Sequence, residues 1–210
     1  MIHKYQLVLF DVDSTLIEQE VIDLLANETQ HGQQVADITR RTMAGELNFD
    51  EALRQRAALL RGLPETVFSK VLNEITFSPG ALTLIRELQN RKILVGAVSG
   101  GFLNVLTTLF SDLGLDFLEA NTLEVSNGVL TGEVIGSIVN REMKKQKLIQ
   151  FAEQFSINIE NTVAVGDGAN DLEMIRAAGL GVSYRGKPIL NEAADVVLAG
   201  PQLDLLLNYL

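Results

Sequence analysis

The sequence contains no cysteine and no long hydrophobic run. Without cysteine the chain can form neither disulfide bonds nor a thiolate metal site. No apolar stretch approaches the roughly twenty residues that a membrane-spanning helix needs, and the first residues lead directly into an apolar segment without a targeting signal. These absences predict a soluble, cytoplasmic protein with no membrane partner.

Positive charge is also scarce, because 27 acidic residues outnumber 17 basic ones and give a formal net charge of −10. An acidic surface repels nucleic acid and anionic membranes, so neither is an expected partner. The same surface disfavours capture of phosphorylated small molecules. A phosphate site would therefore need concentrated positive charge, which a divalent metal and one or two basic side chains can supply.

The sequence does have three short apolar runs, at residues 7–10, 93–98 and 162–166, each followed by polar residues. Such runs are typical of parallel strands that are buried on both faces. Most of the chain alternates strand and helix patterns, which predicts an α/β fold with a doubly wound parallel sheet. Because ligands bind beyond the carboxyl ends of such strands, the three polar motifs are expected to converge on one crevice.

Residues 16–75 interrupt the alternation. Helical periodicity predicts helices over 20–28, 33–44, 49–60 and 64–73, and about sixty residues are too many for an ordinary connection between strands. We therefore expect a small helical cap at 16–75, inserted into an α/β core formed by 1–15 and 76–210. The insertion starts beside the first polar motif, so it can cover the crevice as a lid.

The remaining helices are expected at 80–91, 102–113 and 141–155, with a leucine-rich helix at the end of the chain. The segment Ser126-Asn127-Gly128, between two apolar stretches, predicts a hairpin turn.

Asp11 and Asp13 follow the first predicted strand with one residue between them. Two carboxylates this close repel each other unless a cation lies between them or one is protonated. Both conditions suit phosphoryl transfer, in which one carboxylate attacks phosphorus and the other donates a proton to the leaving alkoxide. Asp-x-Asp pairs are also common in loops that have no catalytic role. The catalytic interpretation of this pair therefore depends on the other polar motifs.

The third strand supplies such neighbours. Asp167 and Asp171 stand four residues apart where a helix begins, so both can reach one ion, and hard oxygen ligands favour Mg²⁺. Asp171 can instead complement the positive end of the helix dipole.

The second strand leads into Ser99-Gly100-Gly101, ahead of a predicted helix. A hydroxyl and backbone N–H groups at such a place form an anion cradle, and glycine lets the ligand approach closely. A basic cluster also stands at the start of the helix before the third strand. Its spacing leaves open whether one member neutralises phosphate oxygens or all are solvated: Lys144, Lys145 and Lys147.

In this order, the motifs around Asp11, Ser99, one lysine and Asp167 resemble those of the haloacid dehalogenase superfamily, and within it the phosphoserine phosphatases, over nearly the whole chain. The resemblance implies that Asp11 is the nucleophile and forms an aspartyl-phosphate. It implies that Asp13 is the general acid and then the base, and also offers its backbone carbonyl to Mg²⁺. Asp167 is implied to be the remaining protein ligand of that metal.

The resemblance also implies residues that hold the phosphoryl group. Ser99, Gly100 and Lys144 are matched to the phosphate-binding positions, and Lys144 is preferred because it stands four residues before Leu148, as the family's lysine stands before its helical leucine. Asn170 is implied to bind near the same oxygens, with Asp171 supporting the metal's waters.

Three residues of the predicted lid suit a small zwitterion. Glu20 would pair with an ammonium group, Arg56 would clamp a carboxylate, and Phe49 would exclude water on closure. Phe49 and Arg56 are seven residues apart and so lie on one helix face, whereas Arg54, the rival clamp, lies on another. Each of these residues taken alone could equally be an ordinary surface or core residue. The resemblance favours the functional interpretation, because the order Asn48-Phe49 and Arg54-Gln55-Arg56 matches the family's lid.

The resulting hypothesis is a Mg²⁺-dependent phosphatase for O-phospho-L-serine, at the end of serine biosynthesis. A phosphatase or phosphotransferase for another small phosphomonoester, such as phosphohomoserine or phosphothreonine, would share the chemistry and differ in the lid. A phospho-acceptor signalling module also gathers acidic residues and a lysine on a parallel sheet, but the lid and Asp13 argue against it. Nothing in the sequence decides the oligomeric state; a homodimer would form if exposed apolar residues of the lid or final helix pair.

Overall fold

The computed structural model describes residues 4–210, so Met1 to His3, which the sequence assigns to the core, lie outside the described residues. The fold is built on one seven-stranded sheet in the order β4-β3-β2-β1-β5-β6-β7. All neighbouring strands are parallel except β3 and β4, which form an antiparallel hairpin at one edge. The strands are β1 Leu7–Phe10, β2 Leu94–Phe102, β3 Phe117–Ser126, β4 Val129–Ile135, β5 Thr162–Gly166, β6 Leu180–Tyr184 and β7 Val196–Leu198. The predicted α/β fold is confirmed.

Helices cover both faces of the sheet and fill the long connection between β1 and β2. That connection contains α1 Val21–Asn27, α2 Gly32–Met43, α3 Phe49–Ala58 and α4 Val67–Leu72, followed by the core helix α5 Ala81–Asn90. The remaining helices are α6 Leu103–Leu109, α7 Arg141–Gln154, α8 Leu172–Ala177 and α9 Pro188–Asn191, and a 3-10 helix spans Leu203–Tyr209.

Strand β1 shows why the sheet needs cover on both faces. All four of its side chains are fully buried, and they alternate between two apolar clusters. Val8 and Phe10 join the cluster that includes α5 and α6, whereas Leu7 and Leu9 join the one that includes α7 and α8. A continuous apolar run is therefore what a central parallel strand requires.

Three local predictions need correction. The second strand, expected to end at residue 98, continues as β2 through Ser99-Gly100-Gly101 to Phe102, with a register shift against β3 that marks a bulge. The helix predicted over 102–113 covers only Leu103–Leu109. The final helix is a 3-10 helix whose buried residues Leu203 and Leu206 are three apart, which matches its three-residue turn.

The β3–β4 hairpin joins the helical connection by backbone hydrogen bonds that the sequence did not reveal. Its turn is the predicted one, with Asn127 and Gly128 both at positive φ. Gly62 N donates to Leu130 O at 2.9 Å, and Leu130 N donates to Leu63 O at 2.8 Å. The segment after α3 is thus fastened to the edge of the sheet.

None of the helices in residues 4–210 combines the length and the apolar character that crossing a membrane requires.

Close packing at Gly96 on β2 yields a stability prediction. A Cβ there would lie 1.7 Å from Cε2 of Phe117, whose ring stacks on Phe151 with centroids 3.6 Å apart. We expect Gly96→Ala to lower the free energy of unfolding by about 3 kcal/mol, since the stacked rings must move. Urea denaturation followed by circular dichroism measures it.

The matched control is Gly200→Ala, because no atom lies within 4 Å of a Cβ built at Gly200. Its expected change is within about 0.5 kcal/mol. Equal effects of the two substitutions would contradict the packing described for Gly96.

Candidate active site

The three polar motifs meet at the carboxyl ends of the central strands. Phe10 at the end of β1 pairs with Ala97 of β2 and Val165 of β5, so the residues that follow these positions lie at one level. Asp11 N donates to Val165 O at 2.8 Å, which continues the ladder by one residue into the motif. The predicted convergence on one crevice is therefore a consequence of strand register.

Lys144 is the centre of an ion-pair network at this level. Its Nζ lies 2.7 Å from Asp11 Oδ1 and 2.7 Å from Asp171 Oδ1, and the lysine side chain is fully buried. Lys147, from the same cluster, pairs instead with half-exposed Glu119 at 2.8 Å. Of the two lysines, geometry therefore brings Lys144 to the carboxylates.

Asp11, Asp167 and Asp171 form a cluster in which one carboxylate oxygen of each lies within 4.8 Å of the others. Asp171 already uses both oxygens, since Oδ1 accepts from Lys144 and Oδ2 accepts from the backbone N–H groups of Asp167 and Gly168. Asp171 therefore holds the loop at residues 167–168 in place as well as Lys144. Asp11 and Asp167 are therefore the better placed members to bind a cation.

Burial and mutual repulsion oppose ionisation of these acids. Burial, and then the Asp171 carboxylate, raise the pKa of Asp11 to about 8 against the opposing effect of Lys144. Burial, followed by the neighbouring acids, also raises the pKa of Asp167 well above its usual value. Burial would lower the pKa of Lys144, but attraction by Asp11 and Asp171 raises it, so the lysine stays charged.

A divalent metal fits this cluster. One lysine charge does not balance three buried carboxylates, and carboxylate oxygens are the ligands that hard cations prefer. The buried oxygens Asp13 Oδ1 and Asn170 Oδ1 have no hydrogen-bond partner among the described residues, which is costly unless something else binds there. The residues could thus hold a metal and a polar ligand together.

Asp13 lies next to the cluster and is suited to carry a proton. It is 7% exposed, and burial, then Glu20, then Asp11 raise its pKa well above the usual value. A protonated carboxyl group can donate its proton to a leaving oxygen.

The β2 bulge forms the opposite wall. Ser99 Oγ accepts a hydrogen bond from Gly101 N at 2.8 Å and is buried. A Cβ on Gly100 would lie 2.7 Å from Cζ of Phe49, and one on Gly101 would lie 2.7 Å from Asp13 Oδ2. Both glycines are therefore needed for close approach of the cap and of Asp13.

Asn121 holds the bulge in place and was missed from the sequence. Its Nδ2 donates to Gly100 O at 2.8 Å, and its Oδ1 accepts from Val139 N at 2.8 Å. An asparagine inside a strand was the available signal, because that residue type is depleted in strands.

The helical connection closes over the acids and leaves only a narrow cavity between them. Asp11, Asp13, Gly100 and Asn170 line its floor, and Glu20, Phe49 and Arg56 line its roof together with Ile22, Met43 and Leu53, which sequence reasoning missed. Arg56 is 2% exposed whereas Arg54 is exposed, so Arg56 is the guanidinium at the cavity. Ser99 and Lys144 lie behind the floor.

Ser14 positions Glu20 and was also missed. Its φ of 59° places it in the left-handed region, and its Oγ donates to Glu20 Oε1 at 2.7 Å. Burial, more than any other cause, raises the pKa of Glu20.

A side-chain contact joins the connection to the helix that carries Lys144. Asn140 Nδ2 donates to Asp50 Oδ1 at 3.0 Å and to Asp50 Oδ2 at 3.2 Å, next to Phe49 on α3. The same asparagine caps α7, because its Oδ1 accepts from Met143 N at 3.1 Å.

Comparisons with known proteins agree with this geometry. The sequence model of the haloacid dehalogenase-like hydrolases matches residues 5–179. The chain belongs to the haloacid dehalogenase-like hydrolase family.

Relatives within this family are phosphoserine phosphatases. The Streptococcus thermophilus phosphoserine phosphatase is 46% identical over 94% of this chain and 92% of its own length. A solved phosphoserine phosphatase, a phospho-aspartyl intermediate analogue, is 43% identical with a TM-score of 0.95, covering 99% of this chain and all of that one. Phosphoserine phosphatase SerB2 of Mycobacterium tuberculosis is 48% identical over 96% of this chain, which spans about half (49%) of that longer relative.

The ion-pair network predicts a large stability effect at Lys144. Lys144→Met removes the ammonium and leaves buried Asp11 and Asp171 without their cation, so the free energy of unfolding should fall by about 3–5 kcal/mol at neutral pH in metal-free buffer. Urea denaturation measures it. Acidification should recover part of the loss, because protonated carboxyl groups need no cation.

Lys147→Met is the matched control on the same helix, since its pair with Glu119 is partly exposed. The expected loss there is about 1 kcal/mol or less. A loss at Lys144 no larger than at Lys147 would show that the buried network does not stabilise the fold.

Proposed function

We propose that the chain is a Mg²⁺-dependent phosphatase that hydrolyses O-phospho-L-serine to L-serine and phosphate, as the last step of serine biosynthesis. The observation that carries the proposal is the enclosed cavity, in which Asp11 and Asp13 face Glu20 and Arg56. The floor has the groups for phosphoryl transfer, and the roof has one anion and one cation for a zwitterion. The names of the relatives support the same substrate.

Asp11, Asp167 and the backbone carbonyl of Asp13 would hold Mg²⁺. When bound, the metal neutralises the acids and the phosphoryl oxygens, which keeps Asp11 ionised. The cluster of buried acids supports the part of Asp11 and Asp167 in this assignment.

In the first step, Asp11 attacks phosphorus and forms an aspartyl-phosphate while Asp13 gives its proton to the serine oxygen that leaves. In the second step, the deprotonated Asp13 takes a proton from water, and the resulting hydroxide releases phosphate and restores Asp11. Lys144, the Ser99 hydroxyl, the backbone N–H of Gly100 and the Asn170 side chain would bind the phosphoryl oxygens throughout. The name of the solved intermediate analogue supports the aspartyl-phosphate.

The roof of the cavity would select the amino acid. Glu20 would bind the ammonium group and Arg56 the carboxylate, and burial strengthens both ion pairs. Phe49, whose ring meets Gly100, would exclude water during the first step.

Residues 16–75 would act as a lid over a core formed by 1–15 and 76–210. The enclosed cavity supports this division, because a substrate can enter only if the roof moves. The homodimer stays a prediction; Leu205 and Tyr209, both exposed on the final 3-10 helix, are candidates for it.

Phosphate release tests the chemistry. We expect Mg²⁺-dependent release from O-phospho-L-serine that EDTA stops, and a loss of about a thousandfold or more in kcat for Asp11→Asn, which lacks the nucleophile. Thermal unfolding of the variant checks that it folds. Undiminished turnover by folded Asp11→Asn would refute an aspartyl-phosphate at this residue.

A second substrate tests the amino-acid assignment. Phosphoethanolamine lacks the carboxylate, so Arg56→Met, which keeps an aliphatic side chain, should reduce kcat/KM for phosphoserine by about a hundredfold and leave that for phosphoethanolamine nearly unchanged. Comparable turnover of both esters, indifferent to Arg56, would favour another small phosphomonoester such as phosphohomoserine or phosphothreonine.

A further inference from the structure

Three polar side chains from three different helices form a chain of hydrogen bonds behind the roof of the cavity. Arg56 of α3 donates from Nη1 to Thr39 Oγ1 of α2 at 2.9 Å. Thr39 Oγ1 lies 2.6 Å from Asp23 Oδ1 of α1 and donates to it. We call this set the Asp23–Thr39–Arg56 chain.

The direction of these bonds follows from the hydroxyl having a single proton. Thr39 Oγ1 also lies 3.1 Å from Val35 O, but the shorter contact is with the carboxylate, which is the stronger acceptor. Once the proton points to Asp23, the lone pairs of the hydroxyl face the guanidinium. Thr39 thereby links a cation to an anion that does not contact it directly.

Only part of the Arg56 guanidinium is used by the protein. Nε donates to Ala52 O at 3.2 Å and Nη1 to Thr39, and no hydrogen bond to Nη2 is formed within residues 4–210. A guanidinium carries five N–H donors, so three remain. The two bonds, one from Nε and one from Nη1, leave the remaining donors in a set orientation.

We propose that Thr39 and Asp23 are positioning residues that hold the Arg56 guanidinium in the orientation for clamping the substrate carboxylate. The inference rests on the proposed function for the identity of the substrate. Neither Thr39 nor Asp23 needs to touch the substrate: both act through Arg56. Without them only the bond from Nε to Ala52 O would restrain the guanidinium, and the bidentate contact would lose much of its preorganisation.

Asp23 contributes the negative charge that compensates the buried positive charge of Arg56. Burial lowers the pKa of Arg56, and the carboxylates of Glu20 and Asp23 oppose that effect. Glu20 would be occupied by the substrate's ammonium group, so Asp23 is the acid that stays with Arg56 when substrate is bound. It is connected to Arg56 through a hydroxyl, so it does not compete for the N–H donors that a substrate needs.

The first experiment compares two threonines of the same helix. Thr39→Val replaces the hydroxyl with a methyl group of similar size. Thr42→Val is the control, because Thr42 is equally buried at 4% and its hydroxyl bonds only to Ile38 O of its own helix, at 2.7 Å. Steady-state kinetics with O-phospho-L-serine and with phosphoethanolamine give kcat and KM for each variant.

For Thr39→Val we expect kcat/KM for phosphoserine to fall by about tenfold or more, mainly through KM, because a clamp on a non-reacting group binds ground state and transition state alike. For phosphoethanolamine the change should stay within about threefold. Thr42→Val should leave both substrates within about threefold of the unmodified chain. Thr39→Ser, which restores the hydroxyl, should restore selectivity, and Asp23→Asn should weaken it less than Thr39→Val.

A second readout needs no substrate. In ¹⁵N-labelled protein, restricted rotation of the Arg56 guanidinium should give separate Nη signals, assigned by their absence from Arg56→Lys. These signals should merge in Thr39→Val and stay separate in Thr42→Val.

The outcomes distinguish the two proposals. If the unmodified chain does not prefer phosphoserine but the Nη signals merge only in Thr39→Val, the proposed function fails and the positioning role stands. If the chain prefers phosphoserine and Thr39→Val matches Thr42→Val in both selectivity and Nη signals, the positioning role is overturned. Equal losses for both substrates in Thr39→Val, with separate Nη signals, would mean that Thr39 only stabilises the fold, and would also overturn it.

Discussion

The site depends on how a single buried ammonium group is shared among carboxylates. Lys144 contacts Asp11 and Asp171 at 2.7 Å each, with Asp167 close by. In a low-dielectric interior the separation of such charges from water is expensive, and only close pairing offsets it. The network holds three chain segments together at the ends of β1 and β5 and at the start of α7, and it leaves negative charge in excess. That excess means that the cluster could hold a cation.

The charged groups in the roof of the cavity are paired with opposite charges less directly than those in the floor. Arg56 is buried almost as deeply as Lys144, but it is linked to the carboxylate of Asp23 only through the hydroxyl of Thr39. Glu20 is bonded to the hydroxyl of Ser14 and to no cation among the described residues. Floor and roof thus differ in how completely their charges are paired inside the protein. Both sets reach the cavity, with Asp11 and Asp13 in its floor and Glu20 and Arg56 in its roof.

Much of this arrangement could be predicted from the sequence, because apolar runs fix the strands and the strand ends fix the level of Asp11, Ser99 and Asp167. The choice of Lys144 over its neighbours needed a resemblance, since spacing on a helix does not say which turn faces the sheet. What escaped prediction depends on contacts between distant segments. Asn121 holds the bulge by a bond to Gly100, which is 21 residues away in the sequence, and Thr39 bonds to Arg56, which is 17 residues away. The second strand is longer than expected because its pairing with β3 resumes at Phe102.

The attachment of the helical connection to the sheet has a mechanical consequence. It is tied to the core by backbone pairing at two places. One is the bridge between Ile17 and Phe77, where the chain enters and leaves, and the other is the pairing of residues 62–65 with residues 128–130. If residues 16–75 move as one body, these two attachments restrict the motion to rotation about the line that joins them. The Asp50–Asn140 contact is made by side chains alone, so it can break and re-form while both attachments persist. Such a rotation would begin with the loss of this contact, which is made at the start of the helix that carries Lys144.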